Sequence, residues 1–374
     1  MNTVVVGAGF AGLSTAYHLA KSGVQDVLVI EQEKKLGRHA SGNNAGMIRQ
    51  TTSDLYLAIL AREGRDSLER ASRNGWADFR FESRGSLLLA KGEELKELKK
   101  IRKTITKIGL HSRELSPKEA AKRVSILEGG NFKKALFCPS DASVEIRLLL
   151  GSFLERLDSL GVKVLYGQRI LKIRKIPNSF LIDTSGRKLF AERVVNAAGA
   201  WAGRVGEKAG AVRIPFKAYR RHLFLSSGFK ALKKDWPFVW DLSHNFYFRP
   251  KGRRLLLSPC DRVFVDTRRE SSRREKKDPG MKKILAVKLK SFSEKFRPLN
   301  IGKSASGLRT MVPDGRFVIG EDPKLKGFFW VAGLGGHGVT TSFSVGRLAS
   351  DLILGRIKEG PLERALSPRR FVRG

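Results

Sequence analysis

The apolar run Val4-Val5-Val6 passes directly into Gly7-Ala8-Gly9-Phe10-Ala11-Gly12, and from there into a segment whose apolar residues share one helical face, Leu13, Ala16, Leu19 and Ala20. The period changes at the glycines from that of a buried strand to that of a helix, and Gly23 stops the helix. Val27-Leu28-Val29-Ile30 is a second buried strand, with Glu31 and Gln32 at its end. Further on, the pattern predicts helices over about 54–74 and 93–109, with a short strand, Gly85-Ser86-Leu87-Leu88-Leu89, between them. Ser143 to Leu160 reads as an amphipathic helix with Leu148, Leu149, Phe153, Leu154 and Leu157 inward. A strand at Val162-Lys163-Val164-Leu165, a hairpin-like pair around Pro177-Asn178 and Ser185-Gly186, and a buried strand at Val194-Val195-Asn196 follow. The last strand is followed by the small residues Ala197-Ala198-Gly199-Ala200 and then Trp201. From about 213 to 300 the chain turns strand-rich, with Phe246-Tyr247-Phe248 and Leu255-Leu256-Leu257 as core strands. Phe328-Phe329-Trp330-Val331-Ala332 is a final strand. It meets a glycine cluster, Gly333-Leu334-Gly335-Gly336-His337-Gly338, and a helix expected to begin near Val339-Thr340-Thr341.

Strand–turn–helix–strand order with an acid at the second strand's end builds a site for an ADP-containing dinucleotide. Gly7 allows the tight turn, Gly9 lets backbone approach a pyrophosphate, and Gly12 lets helix pack closely on strand. The helix start offers N–H groups and its positive dipole end, and Glu31 stands where an acid takes ribose hydroxyls. The second glycine cluster sits at another strand-to-helix corner, whose dipole favours negative charge.

Length and charge alter this picture in two ways. At 374 residues the chain has room for about two domains. The first and last parts read as nucleotide-binding α/β and the middle blocks as an inserted, largely antiparallel domain, α+β overall. The 72 Lys and Arg against 36 Asp and Glu leave a net charge of +36, a field that would attract nucleic acid, an anionic membrane surface or acidic metabolites. The excess is spread along most of the chain and is densest from Arg268 to Arg297, which reads as an exposed loop leading into a basic helix. Cys138 and Cys260 lack metal-ligand spacing, so neither a disulfide framework nor a structural metal is expected. With no leader-like segment or membrane-length apolar run, the expected location is cytoplasmic, or peripheral on the inner membrane face.

Several pieces occur in a telling order: Val4–Gly12, His39–Gly46, Asn196–Trp201, Asp235-Trp236-Pro237, Phe246–Pro250, Gly307-Leu308-Arg309-Thr310, Pro313-Asp314-Gly315-Arg316 and Gly327–Gly338. Together they resemble the D-amino acid oxidase, sarcosine oxidase and glycine oxidase superfamily of FAD enzymes. The later pieces, with Leu366-Ser367-Pro368-Arg369-Arg370, most resemble bacterial D-arginine dehydrogenases. The resemblance implies a discontinuous Rossmann-like FAD-binding domain, here 1–82, 141–212 and 302–374, and a substrate domain from 83–140 and 213–301. It implies oxidation of an amino acid or secondary amine by hydride transfer from Cα to flavin N5, giving an imino and then a keto acid.

The same resemblance implies the site. Arg309 matches the carboxylate-gripping arginine, Tyr247 a tyrosine that adds a hydrogen bond, and Arg221 a second arginine at the substrate. FAD is expected to lie on Gly7, Ala8, Gly9, Phe10, Ala11, Gly12, Glu31 and Gln32. It would also touch the loop residues His39, Ala40, Ser41, Gly42, Asn43, Ala45 and Gly46, then Ala198, Gly199 and Trp201. Arg309 and the corner residues Gly335, Gly336, His337, Gly338, Val339 and Thr340 complete its surroundings. FAD is expected to be noncovalent, with a histidyl link at His39 as the alternative, and its electron acceptor is left open. Met47, Arg49, Thr52, Ser86 and Thr340 depart from the D-arginine enzymes. Arg49 facing the pocket beside Arg309 and Arg221 would repel a cationic side chain and favour neutral or acidic amino or hydroxy acids. Other readings are a 2-hydroxy acid (2-hydroxyglutarate-like) dehydrogenase, a tRNA-modifying flavin oxidase and a peripheral quinone-linked dehydrogenase.

Overall fold

The structure is a computed structural model describing residues 2–76, 79–228, 231–268 and 279–372. Its first layer is a six-stranded sheet in the order Val318–Glu321, Phe328–Ala332, Arg193–Asn196, Thr3–Val6, Val27–Ile30, Lys163–Leu165. All pairs are parallel except the edge pair Val318–Glu321 with Phe328–Ala332. Strands buried on both faces read as unbroken apolar runs, which is why Val4–Val6 and Val27–Ile30 were plain in the sequence. The helix Phe10–Lys21 packs on the helix Ser342–Ile353, and a Cβ at Gly346 would lie 2.1 Å from Ser14 Oγ, so only glycine permits that crossing.

The second layer is a nine-stranded, mostly antiparallel sheet centred on Lys217–Gly228. One edge of that strand pairs with Ile301–Met311, and the other with Arg254–Ser258 and Val263–Val265. Beyond lie Phe246–Lys251, Phe238–Asp241, Ser86–Ala90, Lys134–Cys138 and Arg113–Leu115. Ile301–Met311 runs across the boundary drawn at 301/302, because it pairs along its length with Lys217–Gly228. A small sheet of Met47–Ile48, Ala142–Val144 and Phe81–Glu82 leads into Arg49.

Three boundaries differ from the pattern reading. The helix expected from Ser143 starts at Ile146, since Ser143 and Val144 are held as a strand by Met47 and by Phe81–Glu82. With that start, Ile146, Leu149, Leu150, Phe153 and Leu157 face inward, and Leu148 is 47% exposed rather than buried. The hairpin-like pair is a three-stranded meander, Ile170–Ile176, Ser179–Thr184 and Lys188–Ala191, turning at Asn178 with φ 58°. The last long helix begins at Ser342, not near Val339. Thr340 Oγ1 accepts the Arg49 N–H, and Thr341 Oγ1 donates to His337 O, so both threonines are spent in the turn before it. The basic helix is Pro279–Phe292, and the loop expected at 269–278 lies outside the described residues. Among the described residues no helix is long and apolar enough to cross a membrane.

The tightest constraint in the first layer is Gly12, whose Cβ would stand 1.9 Å from Gly7 O. Backbone cannot yield as a side chain can, so Gly12→Ala should cost roughly 3 kcal/mol. Urea unfolding of the flavin-free protein checks this, and an unchanged midpoint would contradict it.

Candidate active site

The carboxyl ends of four parallel strands open into one cleft of about 820 Å³, the place where such sheets bind ligands. Gly7, Ala8, Gly9, Glu31 and Gln32 line it, with His39, Ala40 and Ser41 from the glycine loop, and Ala198, Gly199 and Trp201. Gly7 sits at φ +108°, and a Cβ there would lie 2.5 Å from Ala197 O. The N-cap Gly9 has no side chain of its own, and the helix start borders the cleft. Glu31 Oε2 accepts the Ala8 N–H at 2.8 Å and Oε1 that of Glu33 at 2.9 Å. Burial pushes this carboxyl up, against the pull of those two N–H groups. Its placement fits the expected ribose contact, and the glycine turn fits a pyrophosphate.

Phe10, Ala11 and Gly12 do not line the cleft. Phe10 is buried with its ring against Phe153, and only its N–H turns outward, donating to Ser41 Oγ at 3.1 Å. Gly42 and Gly46 shape the loop instead: their Cβ atoms would lie 1.8 Å from Gly37 O and 2.3 Å from Val144 O. Arg249, buried, donates to Ala45 O and fixes the loop's far end. His39 Nε2 pairs with Glu33 Oε1 at 3.0 Å, and its ring lies 4.5 Å from that of Trp201.

Sequence reasoning missed one wall of the cleft, Gln168 to Leu171, and a basic rim of Arg38, Arg169, Arg204, Lys208 and Arg268. The wall was inferable, because Gln168 donates to Glu31 O just beyond the third parallel strand, at the same carboxyl edge.

Ala40 also borders a second, much smaller cavity of about 20 Å³, lined by Asn43, Asn44, Ala45, Arg221, Leu223, Tyr247, Gly307, Arg309 and Gly335. Antiparallel pairing explains the convergence. Arg221 opposes Gly307 and Tyr219 opposes Arg309, so both arginines rise from the same face of adjacent strands. Gly307 has no room for a side chain, its Cβ falling 2.9 Å from Asn43 O, and this lets the glycine loop close over them. Asn43 Nδ2 donates to Ser306 O at 2.8 Å and clips the loop down.

Three donors meet here without protein acceptors. Tyr247 Oη and Arg221 Nη1 are buried with no hydrogen-bond partner. The Arg309 guanidinium makes no hydrogen bond to any described residue, and a Cβ on Gly336 would lie 3.1 Å from its Nη1. Burial and then the Arg221 charge lower the Arg309 pKa. Arg221 Nε is held by Asp261 O at 2.7 Å, while the Asp261 carboxylate takes the N–H and Nδ1 of His222 at 2.9 and 2.8 Å.

Arg49 turns inward but does not line the small cavity. Its Nη1 donates to Thr51 O at 2.6 Å and Nη2 to His337 Nε2 at 3.1 Å, with Cζ 4.6 Å over the Trp240 ring. Burial pushes Arg49 down to about 10, opposed by Asp141 and helped by Arg309 and Arg221. Burial, then the charges of Arg49 and Arg309, hold His337 well below the ordinary histidine range, so it stays neutral. Gly338, Val339 and Thr340 are structural in this arrangement: Gly338 abuts Leu334, Val339 is buried in the core, and Thr340 bonds Arg49 and Met47. Asp141 escaped sequence reasoning. It is fully buried and accepts from Gln50 N, Gln50 Nε2, Thr51 Oγ1 and Ser86 Oγ. Ser86 thus leads to a carboxylate just before another strand.

The profile of the family described as DAO, FAD dependent oxidoreductase, matches residues 2–352. The chain is 26% identical to glycine oxidase of Geobacillus kaustophilus (strain HTA426), covering 94% of this chain and 92% of that one. It is 25% identical to the mitochondrial dimethylglycine dehydrogenase of Rattus norvegicus over 94% of its own length, but spans only 43% of that protein. The structure of L-proline dehydrogenase from P. horikoshii superposes with a TM-score of 0.88 at 22% identity, covering 99% and 97% of the two chains.

At Gly9 a Cβ meets only Ser41 Oγ, at 2.9 Å, so a larger side chain there extends toward the pyrophosphate space. Gly9→Val should yield folded, flavin-free protein. Flavin absorbance per mole of protein measures this, and a fully loaded yellow variant would contradict the assignment of the loop.

Proposed function

The chain belongs to the FAD-dependent oxidoreductase family, and from that premise we propose that it oxidises an amino acid or secondary amine at the carbon bearing the nitrogen. The observation that carries this reading is the trio around one small cavity: Tyr247 and Arg221, buried with donors that no protein group satisfies, and the half-buried Arg309 beside them. A carboxylate offers two acceptor oxygens and a negative charge to such a set, and an arginine fork can grip it with two parallel bonds. The relatives point the same way, because glycine, dimethylglycine and proline, for which they are named, are amines with a carboxylate on the neighbouring carbon. That preference sets the amine reading above a hydroxy acid, and nothing in these relatives favours an RNA or membrane partner for the net charge.

Bound FAD would supply the acceptor for the hydride, and the neutral amine would leave as an iminium that water hydrolyses to a carbonyl compound, releasing ammonia or an amine and a proton. The protein's share is positioning: the clamp fixes the carboxylate and so aims the adjacent C–H along one direction. Arg309, Arg221 and Arg49 also disfavour an ammonium nearby, which keeps the substrate nitrogen in its neutral, oxidisable form. His337, held neutral between Arg49 and Arg309, adds no positive charge of its own.

Arg309→Ala should lower kcat/KM by two to three orders of magnitude, roughly 3–4 kcal/mol, the size expected when a buried charge pair loses one member. Its FAD content should match the wild type, and near-normal turnover would place the clamp elsewhere. The His39 Nε2 is occupied by Glu33, consistent with noncovalent FAD. Acid precipitation of the wild type should therefore release all flavin to the supernatant, whereas a yellow pellet would show a covalent link.

A further inference from the structure

The buried positive charge of the site is greater than one carboxylate would use, and its second focus is Arg49. Trp240 connects the two foci: Arg49 Cζ lies 4.6 Å over one side of the system, and the Trp240 and Tyr247 ring centroids are 4.9 Å apart. On the other flank, Arg309 Nη1 lies against Gly336, and the next residue, His337, takes the bond from Arg49. The two guanidiniums therefore stand on either side of the Gly335–His337 turn, close enough for the Arg309 charge to depress Arg49.

Asp141 offsets part of the Arg49 charge from a distance, without a hydrogen bond to the guanidinium. It receives its four hydrogen bonds from Gln50, Thr51 and Ser86. Asp261 is bound by His222. Thr51 O and His337 Nε2 hold the Arg49 fork in place but bring no charge to it.

We propose that Arg49 receives a second anionic group of the substrate, so that the enzyme acts on amines carrying two carboxylates, one at Arg309, Tyr247 and Arg221 and one at Arg49. This rests on the amine-oxidation reading above and narrows it. The stacked, twice-anchored guanidinium is pre-organised, so little side-chain freedom is lost when the second anion arrives. A cationic side chain would meet an unfavourable field in the same place.

The test compares matched pairs on the FAD-loaded enzyme by anaerobic flavin bleaching: iminodiacetate against sarcosine, and aspartate against 2-aminobutyrate in both enantiomers. The dicarboxylate of at least one pair should have a kcat/KM tenfold or more above its partner. Arg49→Gln should remove that advantage and Arg49→Lys should keep part of it. An advantage below tenfold in every pair, or an advantage that survives Arg49→Gln, would overturn the second-anion site while leaving amine oxidation standing. Should no amine of either kind bleach the flavin, amine oxidation itself fails. If Arg49→Gln does not hold FAD, wild-type binding decides, read from shifts of the flavin bands: malonate should bind at least tenfold more tightly than acetate, and equal affinity would overturn the proposal.

Discussion

Two guanidiniums held close together and largely out of water repel one another, and this fold holds Arg221, buried, and Arg309, half-buried, in that state side by side. Much of the surrounding structure is arranged around that repulsion. The paired strands Lys217–Gly228 and Ile301–Met311 give both side chains one face. The Asp261 carbonyl fixes one of them, and its carboxylate, tied to His222, offsets only part of their charge from a distance. Tyr247 adds an unpaired hydroxyl. Hydrophobic packing around Ala45, Leu223, Leu256 and Cys260 keeps water from screening the group. Burial raises the Cys260 thiol and keeps it uncharged beside the two arginines.

The dinucleotide cleft follows a different logic, in which backbone does most of the work. The parallel strands deliver Gly7, Glu31, Gln168 and Ala198 to a single edge, and glycines remove side chains where chain meets chain. The two sites are joined by the segment from Gly37 to Gly46, which touches the cleft through His39 and Ser41 and the small cavity through Asn43 to Ala45. Its lack of bulk is what allows it to serve both.

Legibility in the sequence followed the range of the interactions. The first βαβ unit was readable because strand run, glycine spacing and terminal acid all lie within about thirty residues and each has a local physical reason. Arg309, Tyr247 and Arg221 were reached through resemblance, since one arginine among 72 basic residues carries no local mark. Asp141 and Asp261 were missed because their partners, Ser86, Gln50, Thr51 and His222, lie 39 to 91 residues away. Leu148 was misassigned because helical periodicity gives a face but not a starting phase, and that phase was set by strand pairing of Ser143. The inward turn of Arg49 has no local mark either, because Trp240 and His337, which hold it in, are distant in the chain.

All of this turns on whether a carboxylate completes the trio. The most direct measurement is a crystal structure of the FAD-loaded protein with a non-oxidisable carboxylate such as acetate. Its oxygens should lie within hydrogen-bond distance of Arg309, Tyr247 Oη and Arg221 Nη1. A carboxylate bound elsewhere, with protein acceptors occupying those three donors, would contradict the assignment.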